Sequence, residues 1–101
     1  MTVSGKSATD SGTKVMAGPK IDALDPPSGS TAGGTQVTIK GSLLRNVETV
    51  FFGAKSVRPS QPPTDTMVIA VSPPNAPDTV MVHVVDYAGN PSNSLPFTYK
   101  S

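Results

Sequence analysis

The side chains that could carry out catalysis are few in this sequence. Its 101 residues include one histidine, His83, and no cysteine, so a nucleophile paired with an oriented base cannot be assembled. His83 lies within an apolar run and is expected to be an ordinary strand residue. Asp22 and Asp25 are close in sequence beside a proline, where we expect solvated acids at a strand end rather than a catalytic pair. The sequence therefore predicts that the protein is not an enzyme.

The sequence also lacks the residue patterns that metal and phosphate sites need. The segment Asp86-Tyr87-Ala88-Gly89-Asn90 offers oxygen ligands in a turn, but it lacks the alternating aspartates of a calcium loop. Gly5-Lys6-Ser7 resembles the end of a phosphate-binding loop, but the glycine required before it would precede Met1. The absence of cysteine excludes a disulfide and a thiolate zinc site. We expect no cofactor and no metal.

The charges of the chain are nearly balanced. It carries 8 basic and 7 acidic side chains, a formal net charge of +1, which argues against a nucleic-acid partner recognised through its phosphates. Residues 1–20 carry three lysines and one aspartate, a net +2, and residues 21–101 carry five basic and six acidic groups, a net −1. No stretch is apolar enough for a secretory signal or for membrane insertion. We expect a soluble chain that is not exported by a signal of its own.

The pattern from residue 19 onward is that of short strands separated by turns. Glycine (9) and proline (11) are frequent, and no apolar repeat of helical period is long enough for a helix. In residues 35–40 apolar and polar side chains alternate, and Gly41 is expected to end that strand. Pro96 is expected to make the last strand an edge strand. About seven strands are predicted, at residues 20–24, 35–40, 47–52, 55–58, 66–71, 79–85 and 94–100, which indicates an all-β, antiparallel β-sandwich.

The first residues of the chain differ from the rest. Residues 1–18 are mainly Ser, Thr, Gly, Lys and Ala, and they contain too little apolar surface to fold by themselves. They are expected to form an extended N-terminal arm, either a flexible tail or a segment that becomes ordered on a partner. In the second case Lys6 and Lys14 are predicted to contact that partner. Residues 19–101 are expected to form the single sandwich domain.

A series of motifs between residues 19 and 99 resembles the IPT/TIG domains, an immunoglobulin-like family that lacks the disulfide of antibody domains. The matching motifs are Pro19-x-Ile21, Leu24-x-Pro26-x-Ser28-Gly29, Gly33-Gly34-Thr35-x-Val37-Thr38-Ile39-x-Gly41, Val50-x-Phe52-Gly53, Val80-x-Val82-x-Val84 and Phe97-Thr98-Tyr99. The resemblance implies an immunoglobulin-like fold and a role in spacing, dimerising or docking. It does not imply an activity, and the DNA-contacting loops of the transcription-factor members have no basic counterpart here.

Several apolar residues are left over once the core is assigned. If the family register holds, Phe51, Met81, His83 and Val85 point outward on one sheet, and Met67, Ile69 and Val71 point outward on the other. Exposed apolar groups collected on one sheet indicate an interface, unless the arm or a loop covers them or the register slips by one. The predicted partner-binding residues are Phe51, Met81, His83 and Val85, together with Tyr87, Lys6 and Lys14.

Two hypotheses for function follow. In the first, the chain is a complete small protein that docks on a large assembly such as a phage head or tail, on the virion surface or in the cytoplasm during assembly. In the alternative, it is a spacer or a glycan- or protein-binding module of a larger bacterial cell-surface or carbohydrate-acting protein. A protein partner or self-association is expected in both. Carbohydrate is less supported because aromatic residues are scarce, and Tyr87 is the one side chain suited to stacking on a sugar.

Overall fold

The computed structural model describes residues 18–101, and within them it shows eight strands and no helix. The N-terminal arm predicted for residues 1–18, with Lys6 and Lys14, therefore lies outside the described residues except for Gly18. The strands are β1 (Lys20–Asp25), β2 (Ser28–Ser30), β3 (Gln36–Ser42), β4 (Val47–Phe52), β5 (Lys55–Val57), β6 (Met67–Val71), β7 (Asp78–Asp86) and β8 (Leu95–Lys100).

The strands form two sheets, as the sequence predicts. One has three strands in the order β1-β3-β6, and the other has five in the order β2-β8-β7-β4-β5. Neighbours are antiparallel except β2 and β8, which run parallel. The inward side chains of both sheets are buried against each other, because alternate residues of a strand point to opposite faces. The predicted immunoglobulin-like sandwich is confirmed, with one more strand than expected.

Three aromatic rings occupy the centre of the sandwich. Phe97 contacts both Phe52 and Tyr99 edge to face, with ring centroids 5.3 and 5.2 Å apart. The Tyr99 hydroxyl donates a hydrogen bond to the carbonyl of Pro73 at 2.8 Å, so the polar atom of this buried ring is paired. These rings fill the core that has neither tryptophan nor a disulfide. They pack among buried aliphatic side chains: Ile21, Leu24, Val37, Ile39, Leu44, Val47, Val50, Val68, Ala70, Val82 and Val84.

The prediction that the last strand lies at a sheet edge is wrong. Strand β2 covers that edge, with Ser28 paired to Thr98 and Ser30 to Lys100, directly after Pro26 and Pro27. The Thr98 N–H donates to the carbonyl of Pro27 at 3.0 Å. The nitrogen of Pro96 points to the same side of β8 as that of Thr98. Pro96 precedes the residues of β8 that pair with β2, so its missing N–H removes no hydrogen bond of that pairing.

Gly41 does not end its strand, contrary to prediction, but lies within β3. The pairing of β1 with β3 shifts by one residue between Ile21 and Ala23, and this bulge brings the β1 backbone against Gly41. A Cβ atom on Gly41 would lie 1.9 Å from the carbonyl oxygen of Lys20. The position therefore requires glycine because two backbones meet there.

Candidate binding surfaces

The solvent side of the five-stranded sheet carries a strip of neighbouring, uncharged side chains. Its members come from β4, β7 and β8, and they alternate with inward residues that are buried in the core or packed against it. We define the outer strip as Phe51, Met81, His83, Val85 and Pro96. The predicted register is thus confirmed, because Phe51, Met81, His83 and Val85 all lie on this one face.

Cross-strand pairing makes the outer strip continuous. Phe51 lies directly opposite His83, and their rings stack with centroids 4.7 Å apart and an angle of 6° between the planes. Met81 lies opposite Pro96 and is 48% exposed. Val85 is half-buried and lies opposite Thr49. Each residue of the outer strip is therefore adjacent to another one, either on the same strand or on the neighbouring strand.

The outer face of the other sheet differs, although it also has the predicted outward residues. Met67, Ile69 and Val71 of β6 each lie opposite a polar residue of β3, respectively Lys40, Thr38 and Gln36. The backbone N–H and the hydroxyl of Ser60 both donate to the carbonyl of Ile69, so a loop also covers part of this edge. The apolar side chains of this sheet do not form a continuous surface.

Tyr87 lies beyond the outer strip, on a turn that hydrogen bonds hold closed. One carboxylate oxygen of Asp86 accepts from the backbone N–H groups of Ala88 (3.0 Å) and Asn90 (2.9 Å), and the other accepts from the Asn90 side chain (3.2 Å). The backbone N–H of Asn90 has the largest effect on Asp86, and with the other donors it lowers the pKa of that carboxyl below the usual 3.8. The turn leaves the Tyr87 side chain 69% exposed.

A cleft of about 280 Å³ lies beside Tyr87. Its walls include Glu48 of β4 and the segment that follows β5, from Arg58 through Gln61 to Pro63. A guanidinium nitrogen of Arg58 lies 3.9 Å from a carboxylate oxygen of Glu48. The cleft thus joins an exposed aromatic ring to a wall of charged and amide side chains whose two charges compensate each other.

The sequence-based site residues are brought together only in part. Phe51, Met81, His83 and Val85 share the outer strip, whereas Tyr87 lines a separate cleft. Three residues of these surfaces were not predicted as site residues. Pro96 was interpreted only as a mark of a strand edge, Arg58 was placed in a predicted strand, and Gln61 lies between two predicted strands. Alternation along the last strand places Pro96 outward, so its position could have been found. No sequence signal brings Arg58 and Gln61 beside Tyr87.

Two further features bear on function. Across residues 18–101, no three metal-ligating side chains of the acidic, histidine or cysteine type are grouped together. In that same part of the chain, no helix is long and apolar enough to cross a membrane.

The chain is similar to segments of much larger proteins. It is 34% identical over 86 residues to fibrocystin from Mus musculus and, equally, to fibrocystin from Canis lupus familiaris, which covers 82% of this chain but 2% of each fibrocystin. The structure resembles that of SGBP-B from the mixed-linkage glucan utilization locus of Bacteroides ovatus, solved in complex with a mixed-linkage heptasaccharide. That likeness has a TM-score of 0.58 at 14% identity and covers 72% of this chain and 22% of the other, so it shows a shared fold.

The match to a family model extends over almost all of the described domain. Residues 19–99 match the model of the IPT/TIG domain, the family that the motifs of the sequence resemble. The match begins at Pro19, immediately before β1, and ends at Tyr99 in β8, so it includes every strand of both sheets. The chain belongs to the IPT/TIG domain family.

Proposed function

We propose that this domain is a non-catalytic interaction module of a larger protein and that it binds a protein partner through the outer strip. The family and the fold support an interaction module. The small share of each fibrocystin that the chain covers supports one part of the alternative hypothesis, a module within a larger protein. The hypothesis of a virion decoration protein has no support among these relatives, and we do not retain it.

The observation that carries the proposal is the continuity of the outer strip. Single apolar side chains are normal on a protein surface, but neighbouring ones on a solvent-facing sheet favour burial by a partner. The Phe51 and His83 rings already shield one face of each other, and Met81 beside them stays 48% exposed to water. A partner that covers this strip removes apolar surface from water without burying a carboxylate or an ammonium group.

A second copy of the domain fits this surface. A sheet face is flat, and two equal faces related by a two-fold axis give a self-complementary contact. Residues 18–101 carry six basic and six acidic side chains, so no net charge keeps two copies apart. The basic groups are Lys20, Lys40, Arg45, Lys55, Arg58 and Lys100, and the acidic groups are Asp22, Asp25, Glu48, Asp65, Asp78 and Asp86.

Self-association of the 101-residue chain tests the proposal. We expect sedimentation velocity to show a dimer that forms with a dissociation constant of about 0.1–1 mM. Met81→Glu places a charge in the centre of the outer strip and should weaken dimerisation at least about tenfold. Met67→Glu is the matched control, because Met67 is also an exposed methionine but lies on the other sheet, and it should leave dimerisation unchanged.

The location of the contact can be read at the same time. Amide resonances of residues 49–51, 79–85 and 97–98 should shift in NMR spectra as the concentration rises, since these residues surround the strip. A chain that stays monomeric at about 1 mM, or a dimer that Met67→Glu disrupts and Met81→Glu does not, contradicts the proposal.

A further inference from the structure

We propose that the cleft beside Tyr87 binds a neutral oligosaccharide, through a site separate from the outer strip. Sugar recognition needs an aromatic ring with a free face and polar groups beside it for the hydroxyls. The chain has five aromatic residues. Phe52, Phe97 and Tyr99 are buried, and His83 stacks on Phe51. Tyr87, at 69% exposure, is therefore the aromatic side chain most open to a ligand.

The Tyr87 ring is carried on a turn whose backbone is fixed. The three hydrogen bonds to the Asp86 carboxylate close the turn, and the Tyr87 N–H donates to the carbonyl of Asn46 at 3.0 Å. The N–H of Gly89 also donates to the carbonyl of Asp86 at 3.0 Å. A ring held in this way loses little backbone freedom when a ligand stacks on it, so more of the stacking energy appears as affinity.

The walls of the cleft favour a neutral ligand with many hydroxyl groups. Arg58 supplies donors, Glu48 supplies acceptors, and the Gln61 amide supplies both. Arg58 lies near Glu48, so their charges compensate and neither an acidic nor a basic sugar is selected. A volume of about 280 Å³ is at the small end for a ligand site and suits one or two sugar rings of a chain that continues into solvent.

Titration of the full chain with cellohexaose and, separately, with maltohexaose tests this inference. The two neutral glucans differ in shape, so they show whether the cleft prefers an extended or a coiled chain. Tyrosine fluorescence is the readout, because the chain has no tryptophan and its other tyrosine, Tyr99, is buried. We expect saturable binding of at least one of them with a dissociation constant in the millimolar range, about 0.3–3 mM.

Variants assign the binding to the cleft. Tyr87→Ala should weaken it at least about tenfold, whereas Tyr87→Phe keeps the ring face and should stay within about twofold. Affinity in the alanine variant is followed by NMR shifts of residues 46–48 and 58–63, and dispersed spectra verify that the variant is folded. Arg58→Ala should also weaken binding, because it removes donors from the wall.

The outcome is independent of the function proposed above. Met81→Glu should weaken self-association at least about tenfold and leave saccharide binding unchanged, and Tyr87→Ala should do the reverse. The inference is overturned if neither glucan binds, if binding survives Tyr87→Ala, or if the NMR shifts on titration map to the outer strip rather than to the cleft.

Discussion

The Asn93 side chain forms hydrogen bonds with the backbone of Ile21 in β1, as a neighbouring strand would. Its side-chain oxygen accepts from the N–H of Ile21, and its side-chain nitrogen donates to the carbonyl of Ile21, both at 2.8 Å. This pair of bonds connects the segment after β7 to an edge of the other sheet. The side chain thus occupies backbone groups that would otherwise be open to another chain at this edge.

Asn93→Ala should lower the free energy of unfolding by about 1–3 kcal/mol, because both groups of Ile21 lose their partner while they remain partly buried. Urea denaturation measures the effect. Asn75→Ala is the matched control, since the Asn75 amide donates only to the adjacent Ala76 carbonyl in an exposed loop, and it should change stability by less than about 0.5 kcal/mol. Equal effects of the two substitutions would contradict the assigned role of Asn93.

Asp86 makes stability depend on acid pH. The donors around its carboxylate lower its pKa in the folded protein, so the folded state favours the charged form. The stabilisation is therefore fully present above the unfolded pKa near 3.8 and is lost as the pH falls through the lower, folded pKa.

Asp86→Asn should accordingly destabilise the protein more at pH 7 than at acid pH below the folded pKa of Asp86, where the aspartate is protonated in both states. Urea denaturation at the two pH values measures this difference. An NMR titration of the wild-type carboxyl gives a second readout, and Asn90→Ala should raise the Asp86 pKa because it removes the side-chain donor. A destabilisation that is the same at both pH values would show that the carboxylate charge is not the cause.

The site residues show which part of a binding surface a sequence can predict at this scale. Alternation along β4 and β7 placed Phe51, Met81 and His83 outward, because it depends on neighbours in the same strand. The contact of Asn93 with Ile21 connects residues that are distant in sequence, and neither residue type predicts it. The cleft was unpredictable for the same reason, since Arg58 meets Tyr87 only after β4, β5 and β7 have paired.

Among the elements, the pair β1 and β3 depends on one glycine. The bulge in β1 holds the carbonyl of Lys20 where a Cβ on Gly41 would be, so Gly41→Ala forces two paired backbones apart. We expect a loss of about 2–3 kcal/mol in the free energy of unfolding, measured by thermal or urea denaturation. Gly18→Ala is the control, because the nearest atom to its added Cβ is 3.5 Å away, and it should be close to neutral. If Gly41→Ala left the free energy of unfolding unchanged, the bulge in β1 would relax without an energetic cost and the position would not require glycine.

Strand β2 is the strand that the sequence did not predict. Its three residues are too short for an alternating pattern, and they follow Pro26 and Pro27, which indicate a break in pairing. Gly29 lies in β2 against Thr35 and the Phe97 ring, where an added Cβ would be 2.5 Å from the Thr35 hydroxyl oxygen and 2.9 Å from the nearest ring carbon. The requirement for glycine thus comes from two side chains outside β2, of which Phe97 is far away in sequence.

At the scale of the whole molecule, the sandwich could be predicted because several independent features of the sequence indicate the same fold. The apolar alternation, the turn residues and the aromatic core residues each indicate two packed antiparallel sheets, and a sequence consistent in this way favours one fold. The two proposed surfaces lie on the five-stranded sheet and at its end, so one molecule can use both together. A protein contact at the outer strip leaves Tyr87 directed to solvent.

The parallel pairing of β2 with β8 also determines how the molecule responds to mechanical tension. If β2 is pulled from the end at which it begins and β8 from the end at which it finishes, the two strands slide along each other. The hydrogen bonds across the pair, including those from Thr98 to Pro27 and from Thr31 to Lys100, are then loaded together in shear rather than opened in succession. Because β1 precedes β2 in the chain, tension from the N-terminal side reaches this pair once β1 has detached, and the pair then resists further extension.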